Sequence, residues 1–208
     1  MSTITDIKVA KGAKARRHIY LDEQYVCTLD EFTVFKFKLK IGQEISLSYL
    51  EEISAESEAN SAFEKTIDLI SRTPKTQKQI YDYLRQKGYL PKICNIVIEK
   101  LLEYRYINDE QYAKNFVNCY EKKYGKKKIS FMLMQKGIEK SIIDKVLSDI
   151  KPQEDAIFMI AQKYMNNKEK NQQNFDKLCR SLASKGFGWD DISNVINKLK
   201  REEEWRQA

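Results

Sequence analysis

The residues best suited to a chemical task are five lysines gathered around a glycine: Lys122, Lys123, Lys126, Lys127 and Lys128, with Tyr120 and Tyr124 interleaved about Gly125. Ammonium groups at a helix end and in the following turn suit phosphate oxygens, and tyrosine rings suit sugars or bases, so the task would be holding a polyanion. A solvated C-terminal helical turn, whose lysines meet the negative end of the macrodipole, accounts for the same run equally well. A second basic cluster comprises Lys8, Lys11, Lys14, Arg16 and Arg17. It reads either as a loop that touches phosphates or as an ordinary mobile hairpin loop. Lys87, Lys136 and Lys185 each precede a glycine and are assigned to helix-end chemistry. Asp109 and Glu110 follow Asn108 directly, in what would be the first turn of a helix. Negative charge is stabilised there, so they are read as structural and not as catalytic acids.

The remaining inventory argues against catalysis. The sequence presents no nucleophile beside a base, no phosphate-cradling glycine loop and no paired-carboxylate or His-containing metal motif. No cofactor and no metal are expected. Cys27, Cys94, Cys119 and Cys179 are widely spaced, and His18 is the single histidine, so the thiols read as reduced and mostly core, in a cytoplasmic protein. No apolar run reaches the roughly 18 to 20 residues a bilayer span needs, and the first residues lack the basic-then-apolar layout of a secretory signal. A membrane partner is not expected.

Charge is unevenly spread. Residues 1–61 carry 8 Lys/Arg against 10 Asp/Glu, residues 62–150 carry 18 against 11, and residues 151–208 carry 11 against 9. The overall charge of +7 therefore belongs to the middle of the chain, which makes nucleic acid the first partner to consider.

The elements that would position these residues are repeated. A shift of 49 residues superposes Leu84, Leu133 and Leu182, then Lys87-Gly88, Lys136-Gly137 and Lys185-Gly186, then Tyr89, Ile138 and Phe187. Ile80, Ile129 and Leu178 align upstream, and Val97, Val146 and Val195 align downstream. At helical period Ile80, Tyr83 and Leu84 share a face, Thr76 and Gln79 form a capping box, and Gly88 supplies a left-handed residue after the last turn. Pro91 opens a second helix with Ile93, Val97, Ile98 and Leu101 as its buried stripe. A further helix precedes each pair, over Phe63 to Ile70, Tyr112 to Tyr120 and Ile157 to Met165, and Asn108 with Gln111 reads as another capping box. Trp189 and Phe187 beside Gly188 are read as core. Trp205 would dock on a neighbouring helix or stay free.

The expected fold is mainly α, with three tandem three-helix repeats in an elongated curved array. A small β-containing appendage precedes them, with short strands over Ile4 to Val9, His18 to Leu21 and Tyr25 to Leu29, a hairpin turn at Leu21 to Tyr25 and a short helix over Glu31 to Leu39. The Glu-, Ser- and Ala-rich residues 51–61 read as a linker or a lead-in to the first repeat. The expected division is 1–55, 56–105, 106–150 and 151–208.

The segment Leu102 to Ala113, with Tyr106-Ile107-Asn108-Asp109-Glu110 followed by Tyr112-Ala113, resembles the signature of the RecX family of bacterial recombinase regulators. Phe116-Val117, the basic stretch after Gly125, then Ile129, Leu133 and Lys136-Gly137-Ile138 continue the likeness, which covers about residues 62–200. Asp22 through Tyr25 and Lys40-Ile41-Gly42 resemble the extension of the longer members. Arg105 stands where Gly is common, and Lys128 where an Arg usually precedes the Ile, a change that would lose bidentate pairing. The resemblance implies a protein that binds the RecA recombinase in the groove of its nucleoprotein filament and limits its activity, with single- or double-stranded DNA contacted weakly or within the filament. A direct nucleic-acid-binding protein using helix-turn-helix-like repeats is the alternative.

Overall fold

The computed structural model describes residues 1–169 and 171–207, except the side chains of residues 13, 14 and 202–207. The side chains of Trp205 and Lys14 thus lie outside the described set. The chain divides into two compact units, one of residues 1–75 and 80–107 and one of residues 76–79 and 108–208.

The first unit begins with strands β1 (Ser2–Ala10), β2 (Ala13–Leu21) and β3 (Gln24–Asp30), then helix α1 (Glu31–Lys36) and the two-residue strand β4 (Glu44–Ile45). The sheet is antiparallel in the order β3-β2-β1-β4. The turn between β2 and β3 consists of Asp22 and Glu23, both in the left-handed region at φ 47° and 67°. This conformation twists with the strands but costs side-chain-bearing residues energy. Two hydrogen bonds oppose that cost: Asp22 Oδ1 accepts from Thr3 N at 3.0 Å, and Glu23 N donates to Thr5 Oγ1 at 2.9 Å. Asp30 caps α1, its carboxylate accepting from Thr33 N at 2.7 Å, Thr33 Oγ1 at 2.6 Å and Ser57 Oγ at 2.6 Å. Burial works against its charge, but these hydrogen bonds outweigh it and leave the carboxyl below its ordinary range.

Residues 51–61 are the lead-in to the first repeat and not a linker. They lie inside one 26-residue helix, α2 (Leu47–Arg72), which starts at the N-cap Ser46 and contains no Gly or Pro. Leu50 and Ile53 in its first half pack with Ile4, Ile19, Leu21 and Leu29 of the sheet. Ala59 and Ala62 about its middle pack with Ile80, Leu84, Val97 and Leu101. A polar surface with small buried residues on one face gives little hydrophobic periodicity, which is why the segment looks like a tether in the sequence.

Helices α3 (Gln77–Gln86) and α4 (Pro91–Glu103) complete the first repeat, α5 (Asp109–Tyr120), α6 (Lys126–Gln135) and α7 (Lys140–Ser148) make the second, and α8 (Glu154–Met165), α9 (Gln172–Ser184) and α10 (Trp189–Gln207) the third. The protein is mainly α, with three tandem three-helix repeats and a small β-containing N-terminal region. The aligned positions are the cores: Leu84, Leu133 and Leu182 are fully buried, as are Ile80, Ile129 and Leu178. Truncating any one of these leucines to Ala should cost about 2–5 kcal/mol. Gly88, Gly137 and Gly186 all adopt positive φ at helix C-termini. The Thr76–Gln79 box is complete, with Gln79 N donating to Thr76 Oγ1 at 3.2 Å and Thr76 N to Gln79 Oε1 at 3.1 Å. The box at Asn108 is only half made: Asn108 Oδ1 accepts from Gln111 N, but the Gln111 side chain bonds Asn115. Phe187 is buried as expected. Trp189 is 65% exposed, because it opens the first turn of α10 and does not lie on its core face.

Candidate nucleic-acid interface

Within the second unit, α5 ends at Tyr120 and the chain turns through Glu121 to Tyr124 before α6 begins. Lys122 and Lys123 are exposed in that turn. Lys126, Lys127 and Lys128 form the first turn of α6, which corrects their reading as a helix C-terminal run. The correction reverses the electrostatics, since cations at a helix N-terminus oppose the macrodipole. Lys126 and Lys127 are exposed, whereas Lys128 is half-buried with its ammonium 5.6 Å from the centre of the Phe131 ring. Among the described residues none of the five forms an ion pair.

The N-terminus of α6 is held by the end of α9. Gly125 N donates to Lys185 O at 3.0 Å, and Lys127 N donates to Gly186 O at 3.2 Å. The negative end of one helix thus meets the positive end of another, which satisfies backbone donors that would otherwise be free to meet an anion. This approach needs glycine. A Cβ on Gly125 would lie 2.1 Å from Gly186 O, and one on Gly186 would lie 2.4 Å from Lys128 N. A corresponding contact joins Thr76 Oγ1 to Lys136 O at 2.6 Å, inside the same compact unit. The carbonyl of the recurrent lysine is the acceptor in both.

Tyr112, Phe116, Tyr120 and Tyr124 follow one another at four-residue spacing and pack as a row, with successive ring centroids 6.3, 4.5 and 6.0 Å apart. Lys136 Nζ lies 5.5 Å from the Phe116 centroid and Lys185 Nζ 5.7 Å from the Tyr124 centroid. The spacing of the four aromatics is visible in the sequence, but only Tyr120 and Tyr124 stand out there because they flank the lysines. The lysines that meet the row come from 20 and 61 residues away, which no local reading links to it.

Asp109 is buried at the start of α5, with Oδ1 accepting from Gln77 N at 3.0 Å. Burial raises its pKa above the ordinary carboxylate range, and the backbone hydrogen bond opposes that rise. Glu110 pairs with Lys114 at 2.7 Å and Lys145 at 3.1 Å. Both acids hold helices together, as their position after Asn108 suggests.

The second basic cluster is corrected. Arg16 and Arg17 belong to β2, an interior strand hydrogen-bonded on both edges, and not to a loop. Strand pairing, not composition, decides this, because Arg17 stands opposite Val9 on one side and Leu29 on the other. Arg17 pairs with Glu31, and Arg16 Nη2 donates to Thr28 O at 3.3 Å. Lys8 pairs with Asp6 at 2.8 Å. Lys11 is left exposed in the turn with Gly12.

No described helix is long and apolar enough to cross a membrane. Residues 2–46 match the family model described as the regulatory protein RecX N-terminal domain, residues 62–101 the first RecX three-helix domain and residues 108–147 the second. A regulatory protein RecX from Clostridium tetani (strain Massachusetts / E88) is 36% identical over 205 residues, covering 96% of this chain and 95% of the relative. One from Clostridium botulinum (strain Alaska E43 / Type E3) is 33% identical over 204 residues, covering 95% and 96%. A crystal structure of regulatory protein RecX superposes with a TM-score of 0.74 over 95% of this chain and all of its own, at 24% identity, a likeness of fold. RecX from Lactobacillus salivarius gives 0.64 at 26% identity over 69% of this chain and 97% of its own. With relatives this similar over nearly its whole length, the chain belongs to the RecX family of regulatory proteins.

Proposed function

We propose that this chain is a non-enzymatic regulator that binds the RecA nucleoprotein filament in its helical groove and limits recombinase and ATPase activity in DNA recombination and repair. It acts in the cytoplasm, where that filament forms, and touches DNA weakly or within the filament. Family membership supports the partner. The observation that carries the reading on this chain is the run Lys122 to Lys128: five cations without an acidic partner among the described residues, four of them exposed. Like charges gathered in one turn repel one another, and an anionic partner relieves that repulsion. The second repeat, residues 106–150, is therefore assigned the principal contact with the filament. Arg16 and Arg17 are committed to the sheet, so Lys11 and Lys14 are the members of the N-terminal cluster assigned to a supporting contact.

The test is a titration of RecA's DNA-dependent ATP hydrolysis. A filament regulator inhibits well below the concentration that coats the DNA. Inhibition only at saturating coverage would favour plain competition for DNA, and no inhibition at any ratio would end the proposal.

A further inference from the structure

Helix-end chemistry would place the ammonium groups of Lys136 and Lys185 beside the last carbonyls of their own helices. They are found instead over rings that belong to α5 and its following turn, at 5.5 and 5.7 Å from the Phe116 and Tyr124 centroids. A ring face fixes a cation without neutralising it. Both lysines are half-buried, and neither is paired with a carboxylate among the described residues. Holding an ammonium partly out of water without an anion costs solvation, even where the alkyl stem gains by packing.

The rings themselves are occupied. Tyr112, Phe116, Tyr120 and Tyr124 pack on one another at 4.5 to 6.3 Å, with two ammonium groups over the row. No open ladder of faces remains for bases to stack on. What the row leaves unused are two positive charges and the hydroxyls of Tyr112, Tyr120 and Tyr124, none hydrogen-bonded to a described residue. Phe116 and Tyr124 stand two steps apart in the row, 4.5 and 6.0 Å on either side of Tyr120, so the two ammonium groups meet different rings and are not focused on one. A row of donors without a paired anion complements a phosphodiester backbone.

We propose that Lys136 and Lys185 are phosphate-binding residues, set in place by the aromatic row, and that the row is a track for the backbone of a nucleic-acid strand, which it holds without reading its bases. The proposal deepens the function above and rests on its nucleic-acid contact.

The experiment uses the full chain and a fluorescein-labelled single-stranded oligonucleotide, with RecA absent, and reads anisotropy between about 50 and about 200 mM salt. Lys136→Gln with Lys185→Gln should lower the salt slope by about 1.4, so that the loss of affinity across that range becomes roughly sevenfold smaller than for the wild type. Lys163→Gln, an exposed lysine on α8, should leave the slope unchanged. Lys136→Arg with Lys185→Arg keeps both charges and should restore the wild-type slope. An oligonucleotide of abasic sites should bind within about twofold of the base-bearing strand, since the row offers no stacking faces. The proposal is overturned by a wild type that does not bind, by an unchanged slope in the Gln pair, by failure of the Arg pair to restore it, or by loss of binding to the abasic strand. RecA inhibition is scored separately: if the Gln pair inhibits normally and its slope is unchanged, the track is refuted while the regulator stands.

Discussion

Replacing Gly125 with alanine isolates the contact that fixes the basic turn. Its φ of −77° is open to any L residue, so the substitution introduces no backbone strain. The cost comes from approach alone, because the added Cβ would lie 2.1 Å from Gly186 O and 2.2 Å from both Gly186 C and Phe187 N. All three are backbone atoms and cannot swing aside. To reach ordinary contact the start of α6 must retreat by about 1 Å, which stretches the Gly125 N to Lys185 O and Lys127 N to Gly186 O hydrogen bonds past useful length. Two such bonds at about 0.5–1.5 kcal/mol each, with overpacking at about 1–3 kcal/mol, give a loss of about 2–6 kcal/mol. The assay is urea denaturation, followed by far-UV circular dichroism and by the fluorescence of Trp189 and Trp205, both of which lie in the third repeat. Its midpoint should fall by about 1–3 M. Gly88→Ala is the comparison: its φ is +89° and nothing lies within 4 Å of the added carbon, so it carries only the left-handed cost of about 1–2 kcal/mol. A Gly125→Ala variant that loses less than Gly88→Ala would refute the close approach.

Arg105 follows α4 at φ 57°, a position held by Tyr106 N donating to Leu101 O at 2.8 Å. Arg105→Gly should therefore gain about 0.5–1 kcal/mol, the relieved strain exceeding the added chain entropy, and an unchanged or lower melting temperature would count against it. Asp30→Asn removes a carboxylate held below its ordinary pKa. Its contribution is present above the unfolded value near 4 and is lost as pH falls through the lower folded value, so the variant's deficit of about 1 kcal/mol at pH 7 should shrink progressively below pH 4. A deficit independent of pH would contradict the assignment. Asp109 carries the opposite sign: its folded pKa is raised, so holding it ionised weakens the fold at neutral pH and the penalty fades as pH falls through that value. Asp109→Asn should accordingly be tolerated better at pH 7 than at pH 4, and the reverse order in denaturation midpoints would exclude a buried charge.

The repeat was legible because the same buried positions return after a fixed interval, and the cores at Leu84, Leu133 and Leu182 bear it out. The Thr76–Gln79 cap was legible for a similar reason, since its partners are three residues apart. Features that depend on distant partners were not. Gly125 reads locally as the middle of a basic turn, and its approach to the carbonyls of Lys185 and Gly186, about 60 residues away, leaves no local trace. Arg16 and Arg17 lack apolar neighbours, so composition suggests a loop until the register with β1 and β3 is known. The Asn108 box fails for the opposite reason: Gln111 has a nearer competitor in Asn115. Within the candidate site, the lysines were visible as a run, but the docking of the α9 C-terminus on the first turn of α6 and the aromatic row beneath Lys136 and Lys185 were not.

The central claim, that Lys122 to Lys128 serve a partner and not the fold, is tested by Lys126→Glu with Lys127→Glu. Lys128 is left in place because it packs against Gly186. Both side chains are exposed, so the variant's denaturation midpoint should stay close to the wild type's. In a titration against RecA's DNA-dependent ATP hydrolysis the same variant should need at least tenfold more protein for half inhibition. A variant that inhibits as well as the wild type would contradict the account, whatever its stability.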